Sequence, residues 1–137
     1  MRSRTAYVGL FVLGCAFITG CQRIERGKQV RAQGQLQYLS AKIEAKRDEG
    51  GSLLTAEEFR AAFDSSRLED PWGRTFLYER FAAPSGERYV IASMGADGIL
   101  DVAELAVYLS ASREDVAYTP ERDIVVVDGE FIRSAGK

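Results

Sequence analysis

Residues 70–98, DPWGRTFLYERFAAPSGERYVIASMGADG, decide the fold, because they contain a turn and two strand-like runs in succession. The run Thr75–Phe81 is rich in aromatic residues and the run Arg88–Met94 is apolar, so each predicts a strand. The connection at 83–87 carries a proline and a glycine. We therefore expect the two strands to form an antiparallel hairpin.

The segment begins with a sequence typical of a β-turn, which we call the DPWG turn. Aspartate favours the first position of such a turn, proline fixes the second, and glycine suits the fourth. The four residues are Asp70, Pro71, Trp72 and Gly73.

Helices are predicted on the N-terminal side of this hairpin. Four apolar residues at spacings of four, three and four form one stripe on a helix over residues 22–48. This stripe, which we expect to pack on its own domain, consists of Ala32, Leu36, Leu39 and Ile43. A shorter helix should run from a capping box, with Thr55 as N-cap and Glu58 at the third position, to about Ser65.

The C-terminal part predicts a third helix and a second hairpin. Residues 102–112 look helical, and Asp128-Gly129 between the runs Ile124–Val127 and Glu130–Arg133 is a two-residue hairpin signal. The fold class predicted by this order is α+β, with a long N-terminal helix packed on a small antiparallel sheet of two β-hairpins.

Residues 1–20 predict a lipoprotein signal peptide. Arg2 and Arg4 precede an apolar run of 12 residues, whereas a bilayer span takes about 20. The sequence Ile18-Thr19-Gly20-Cys21 resembles a bacterial lipobox, in which the cysteine is acylated, for example with palmitate, and becomes the mature N-terminus. Residues 21–137 would then form one domain held at a lipid bilayer through Cys21. The alternative is a transmembrane anchor with an incidental cysteine.

Composition excludes several classes of function. The net charge of −2 is not that of a typical nucleic-acid-binding domain, which is basic. The chain has no histidine, which excludes the commonest general base and every Ser-His or Cys-His nucleophile pair. The carboxylates Glu44, Asp48, Asp64 and Asp70 read as ordinary surface groups, and no pair stands out by spacing. We therefore expect no enzyme.

The DPWG turn, the strand with Tyr78 and the stretch Ser93–Gly98 together resemble the globular head of the major pseudopilin of type II secretion systems. The later segment Thr119–Val125 is similar to the closing aspartate and strand of that family. The likeness covers residues 30 to 127, most of the mature chain. It implies a pseudopilin-like α+β head.

The resemblance also implies a calcium site, since the family binds calcium in the loop between these motifs. Asp97 and Asp123 match the family's two aspartates, and Ca²⁺ prefers oxygen ligands of this kind. Between them this chain has 25 residues, including the predicted third helix, where the family has a short glycine-rich loop.

Two other interpretations of the stretch around Asp97 stay open. Set as an EF-hand calcium loop, Asp97, Asp101 and Glu104 take ligand positions, but Ser93 and Gly95 stand where Asp or Asn is expected. In the plainest interpretation, Asp97-Gly98 is a turn, and Asp101 caps the third helix with Glu104 at its third position.

A pseudopilin needs an apolar helix after its cleavage site, but residues 22–35 are polar here. The sequence therefore favours a non-enzymatic envelope lipoprotein with a pseudopilin-like head, an accessory or interaction component on the periplasmic side. Its partners would be envelope or secretion-system proteins, and Gln22 after the cysteine favours the outer membrane. The alternative is a subunit of a type II secretion or pilus-type machine that keeps residues 7–18 as its helix.

Overall fold

The computed structural model describes the backbone of residues 6–111 and 121–133, and the side chains of residues 20–111 and 121–132. The helices are α1 (Ala6–Gly50) and α2 (Ala56–Ala62), with 3₁₀ helices at Ser65–Arg67 and Leu105–Ser110. The strands are β1 (Leu77–Ala83), β2 (Gly86–Ser93), β3 (Ile124–Val127) and β4 (Glu130–Arg133).

The four strands form one antiparallel sheet in the order β1-β2-β3-β4. Ala83 pairs with Gly86 and Val127 pairs with Glu130, so each hairpin closes through a two-residue turn. The predicted α+β class, a long helix with two β-hairpins, is thus confirmed.

The sheet is buried on both faces at its centre. One face packs on α1, where the four residues of the predicted stripe are fully buried against Tyr89, Ile91 and Val126. The other face carries Val90 and Val125, which pack with residues of the second 3₁₀ helix. Side chains alternate between faces along a strand, so β2 and β3 supply both halves of the core.

The beginning of α2 follows the predicted capping box. The side chain of Thr55 accepts from the amide of Glu58 at 3.2 Å, and the Glu58 carboxylate accepts from the amide of Thr55 at 2.7 Å. The hydrogen bond from the amide of Thr55 to the Glu58 carboxylate lowers the pKa of Glu58, because it favours the charged form. The helix ends at Ala62, earlier than the predicted Ser65, and Ser65 instead begins a 3₁₀ helix.

The predicted third helix is the main departure from the sequence interpretation. Instead of an α-helix over residues 102–112, only Leu105–Ser110 is helical, as a 3₁₀ helix. Its N-cap residue, Glu104, makes no side-chain capping bond, and the amide of Val107 bonds to the carbonyl of Glu104 three residues earlier. A segment this short and uncapped favours the tighter 3₁₀ turn. Residue 112 lies outside the described residues.

The backbone of α1 is helical without a break from Ala6 through Gly20 and Cys21 to Gly50. Within the part of the chain that the structure describes, no helix combines the length and hydropathy needed to cross a bilayer.

Candidate functional site at the DPWG turn

The DPWG turn forms as predicted and is organised by the carboxylate of Asp70. The amide of Gly73 donates to the carbonyl of Asp70 at 2.9 Å, which closes the turn. Asp70 Oδ1 accepts from the amides of Trp72 and Arg74, each at 3.0 Å. Only 5% of Asp70 is exposed, so the expectation of an ordinary surface carboxylate was wrong. It is a buried structural group whose charge is met by several donors.

The second oxygen of Asp70 joins the turn to the end of β2. Asp70 Oδ2 accepts from Ser93 Oγ at 2.7 Å, and Ser93 Oγ in turn accepts from the amide of Gly95 at 3.3 Å. Ser93 is buried. The DPWG turn and the stretch after β2, which we treated as two motifs in the sequence, therefore meet at one site.

Arg74, the residue after the turn, completes this junction. Its guanidinium donates to the carbonyl of Gly95 at 2.8 Å and to that of Ala96 at 3.2 Å. Gly98 lies against the same guanidinium with a φ of +69°, and a Cβ there would overlap it. We call residues 95–98 the GADG loop. Sequence reasoning did not identify Arg74, and its position directly after the turn was the only local signal.

Asp97 lies in this loop but is directed back to its own backbone. Its Oδ1 accepts from the amide of Ile99 at 2.9 Å, and its side chain is exposed. This is the turn geometry that the plain interpretation of Asp97-Gly98 predicts.

Asp123, directly before β3, belongs to a different network that includes Tyr108 of the second 3₁₀ helix. Asp123 Oδ2 accepts from the amide of Asp101 at 2.9 Å and from the hydroxyl of Tyr108. Asp101 Oδ2 accepts in return from the amide of Asp123 at 3.1 Å. The prediction that Asp101 caps a helix was therefore wrong, because its carboxylate is used by a partner 22 residues away. Glu104, the predicted companion of that cap, is exposed.

These contacts do not fit the calcium site that the resemblance implies. Calcium takes six to eight oxygen ligands, whereas Asp97 and Asp123 serve separate networks. The loop carbonyls hold the Arg74 guanidinium, whose positive charge would repel a second cation at that place. In the described parts of the chain, no three histidine, cysteine or acidic residues are grouped to hold a metal.

The EF-hand interpretation does not fit either. An EF-hand loop lies between two α-helices. Here the stretch that would form the loop begins in β2, at Ser93, and leads into the 3₁₀ helix at Leu105. The carboxylate of Asp101 also accepts from the amide of Asp123, which lies outside the stretch that would form the loop.

Trp72 connects the site to α1. Its Nε1 donates to Glu25 Oε2 at 2.8 Å, and its partly buried ring packs against the core cluster on the α1 face of the sheet. Glu25 also pairs with Lys28 at 3.4 Å. The turn is thus held against α1 one helical turn after Cys21, whose side chain is exposed.

The polar groups of this junction bond mainly to one another. The junction therefore connects α1, the DPWG turn and the sheet rigidly.

Comparison of the chain with protein families, with curated proteins and with solved structures gave no match. The resemblance to pseudopilins therefore stays a prediction.

Proposed function

We propose that this protein is a non-enzymatic lipoprotein of the bacterial envelope. Acyl chains on Cys21 would hold it at the outer membrane, facing the periplasm, and the α+β domain would be an interaction or accessory component. Its partners would be envelope or secretion-system proteins that recognise the surface of a pseudopilin-like head.

The exposed side chain of Cys21, directly ahead of the packed domain, is the observation that carries this proposal. Cys21 is exposed, and the next turn of α1 is already bonded to the domain through Glu25 and Trp72. Acylation at Cys21 would therefore place lipid at the edge of the folded head without disturbing its core. Acyl chains bind a bilayer by burying methylene groups, at about 0.8 kcal/mol each.

The site at the DPWG turn supports a scaffolding function. Asp70, the buried carboxylate of the junction, accepts from Ser93 and from backbone amides, and Arg74 donates to backbone carbonyls. A catalytic carboxylate needs access to a substrate and a second group in a contrasting environment. The junction instead uses its charged groups to fix backbone, which suits a domain that presents a rigid surface.

The test is to follow acylation and processing in bacteria that express the full chain with a labelled fatty acid. We expect labelled protein whose mature chain begins at Cys21 and has 117 of the 137 residues. The variant Cys21→Ser should lose both the label and the cleavage. The matched variant Cys15→Ser should keep both, and a label that disappears with Cys15 instead would overturn the proposal.

A second candidate is a subunit of a type II secretion or pilus-type machine. The unbroken backbone helix from Ala6 to Gly50 favours it, because such a subunit keeps an apolar segment continuous with the helix that carries the head. The intact mass of the protein from membranes distinguishes the two candidates. A mature chain that retains residues 7–18 and carries no acyl group would support the subunit.

A further inference from the structure

The turns of α1 that follow Cys21 carry a charge opposite to that of the rest of the domain. Residues 22–31, which we call the basic segment, contain four basic residues and one acidic residue. Residues 32–137 contain 12 basic and 19 acidic residues. The protein is therefore polarised, with its positive end beside Cys21.

The carboxylate of the basic segment is directed toward the domain. Glu25 accepts from Trp72 at 2.8 Å and pairs with Lys28 at 3.4 Å. Its negative charge is thus taken up by contacts with the DPWG turn and with its own helix. The positive charge that the segment presents to its surroundings therefore comes mainly from its guanidinium groups.

The outward face of the basic segment combines basic and apolar side chains. Arg23, Arg26 and Val30 follow at spacings of three and four, on the side of α1 opposite the buried stripe. Val30 is 61% exposed, and Ile24, the neighbour of Arg23 in sequence, is 62% exposed. Clustered basic side chains next to a membrane are attracted to the negative surface of anionic lipids.

The same face is no longer basic farther along α1. Beyond the basic segment, its outward positions hold Gln37 and Ala41 and then Asp48, and all three are exposed. An anionic surface would attract the basic segment, with four basic residues and one acidic residue, more than residues 42–49, where three basic and three acidic residues balance. The contact would therefore be confined to the first turns, next to the lipid anchor.

We propose that the basic segment rests on the headgroups of anionic phospholipids and holds the domain close to the membrane in one orientation. The inference rests on the proposed acylation of Cys21, which would bring the segment to the lipid. Each Lys or Arg near an anionic membrane strengthens binding about fivefold. Removal of three would weaken this contact by about two orders of magnitude.

Trp72 provides the measurement, because it is the single tryptophan of the chain and is held beside Glu25. The acylated protein would be purified from membranes and reconstituted into phosphatidylcholine vesicles, with or without phosphatidylglycerol. Both would contain a lipid spin-labelled at its headgroup. We expect quenching of Trp72 fluorescence to be clearly greater in the anionic vesicles and to fall when salt is added.

Two triple variants separate the basic segment from charge in general. The combination Arg23→Gln, Arg26→Gln and Arg31→Gln should reduce quenching in anionic vesicles to the level in neutral ones. The matched combination Lys42→Gln, Lys46→Gln and Arg47→Gln removes the same charge near the far end of α1 and should retain the difference. Thermal unfolding of each variant checks that the domain is folded.

The outcomes distinguish this inference from the proposed function. Flotation of the vesicles in a density gradient shows whether the protein is bound to them. Protein that floats with both kinds of vesicle but shows equal quenching in them keeps its anchor and overturns the headgroup contact. Unacylated protein that floats only with anionic vesicles supports the contact and overturns the anchor. Protein that floats with neither overturns both.

Discussion

Arg74 donates from Nη1 to the carbonyl oxygen of Gly95 at 2.8 Å, which joins the DPWG turn to the GADG loop across 21 residues of sequence. We expect Arg74→Ala to lower the free energy of unfolding by about 1.5–3 kcal/mol, the range for hydrogen bonds made by a charged group. Urea unfolding measures this loss. Hydrogen exchange should also become faster at the amides of the loop, because its carbonyls lose their partner.

A matched control for this prediction is Arg60→Ala on the exposed side of α2. It removes the same kind of side chain, and its effect on unfolding should stay within about 0.5 kcal/mol, as for most surface substitutions. Equal effects of the two variants would show that the Arg74 contact contributes nothing specific to the loop.

Gly98 tests the same contact from the other side. Gly98→Ala should destabilise the protein both through its φ of +69° and through overlap of the new Cβ with the Arg74 guanidinium. Gly51→Ala isolates the backbone contribution, since Gly51 has a φ of +74° and no atom near its Cβ position. We expect Gly98→Ala to exceed Gly51→Ala by about 1–3 kcal/mol, the usual effect of overpacking.

The difference between the two glycine variants should shrink in an Arg74→Ala background, because the guanidinium that the Cβ overlaps is then absent. The measurement is urea unfolding of the two glycine variants, each with Arg74 and with Arg74→Ala. A difference that is unchanged without Arg74 would mean that the strain at residue 98 has another origin.

Calcium should leave the thermal unfolding midpoint unchanged. Any ion that binds the folded state alone raises the midpoint by mass action. The GADG loop, however, offers its Gly95 and Ala96 carbonyls to Arg74, and Asp97 bonds to its own backbone. The measurement compares unfolding in millimolar calcium with unfolding in a chelator. A rise of several degrees that is lost in Asp97→Ala or Asp123→Ala would restore the calcium site implied by the resemblance.

The elements that sequence could predict are those with local causes. The α1 stripe depends on helical spacing, the capping box on Thr55 and Glu58, and the second hairpin on Asp128-Gly129. Each signal lies within one element or one turn, so the residues that produce it are close in sequence. The fold class followed because these local signals agree with one another.

The polar contacts of the site were beyond such reasoning, because they join residues far apart in sequence. Asp101 has a suitable position for a helix cap, but Asp123 lies near enough in the fold to compete for its carboxylate. Arg74 precedes β1 and Gly95 follows β2, so the antiparallel pairing of these strands places the two residues side by side. The DPWG turn could be predicted from sequence. The bond from Arg74 to the GADG loop could not, because it depends on strand pairing.

Alkaline pH should destabilise the protein through its buried tyrosines. Burial raises the pKa of Tyr78 from 10.0 to about 12, and burial also raises the pKa of Tyr89. The folded state therefore keeps these protons at a pH where the unfolded chain has released them. The stability contributed by these tyrosines is complete below about pH 10 and is lost as pH rises, for Tyr78 through about pH 12.

The variant Tyr78→Phe isolates one of these groups. It also removes the hydrogen bond from the Tyr78 hydroxyl to the carbonyl of Leu54 at 2.7 Å, so it should be less stable than wild type at neutral pH by about 1 kcal/mol. Because phenylalanine does not ionise, that deficit should shrink between pH 10 and about pH 12, as wild type loses stability faster. Urea unfolding of both chains at each pH measures the deficit, and other titrating groups affect the two chains alike. A deficit that stays constant over this range would show that burial of Tyr78 does not couple its ionisation to folding.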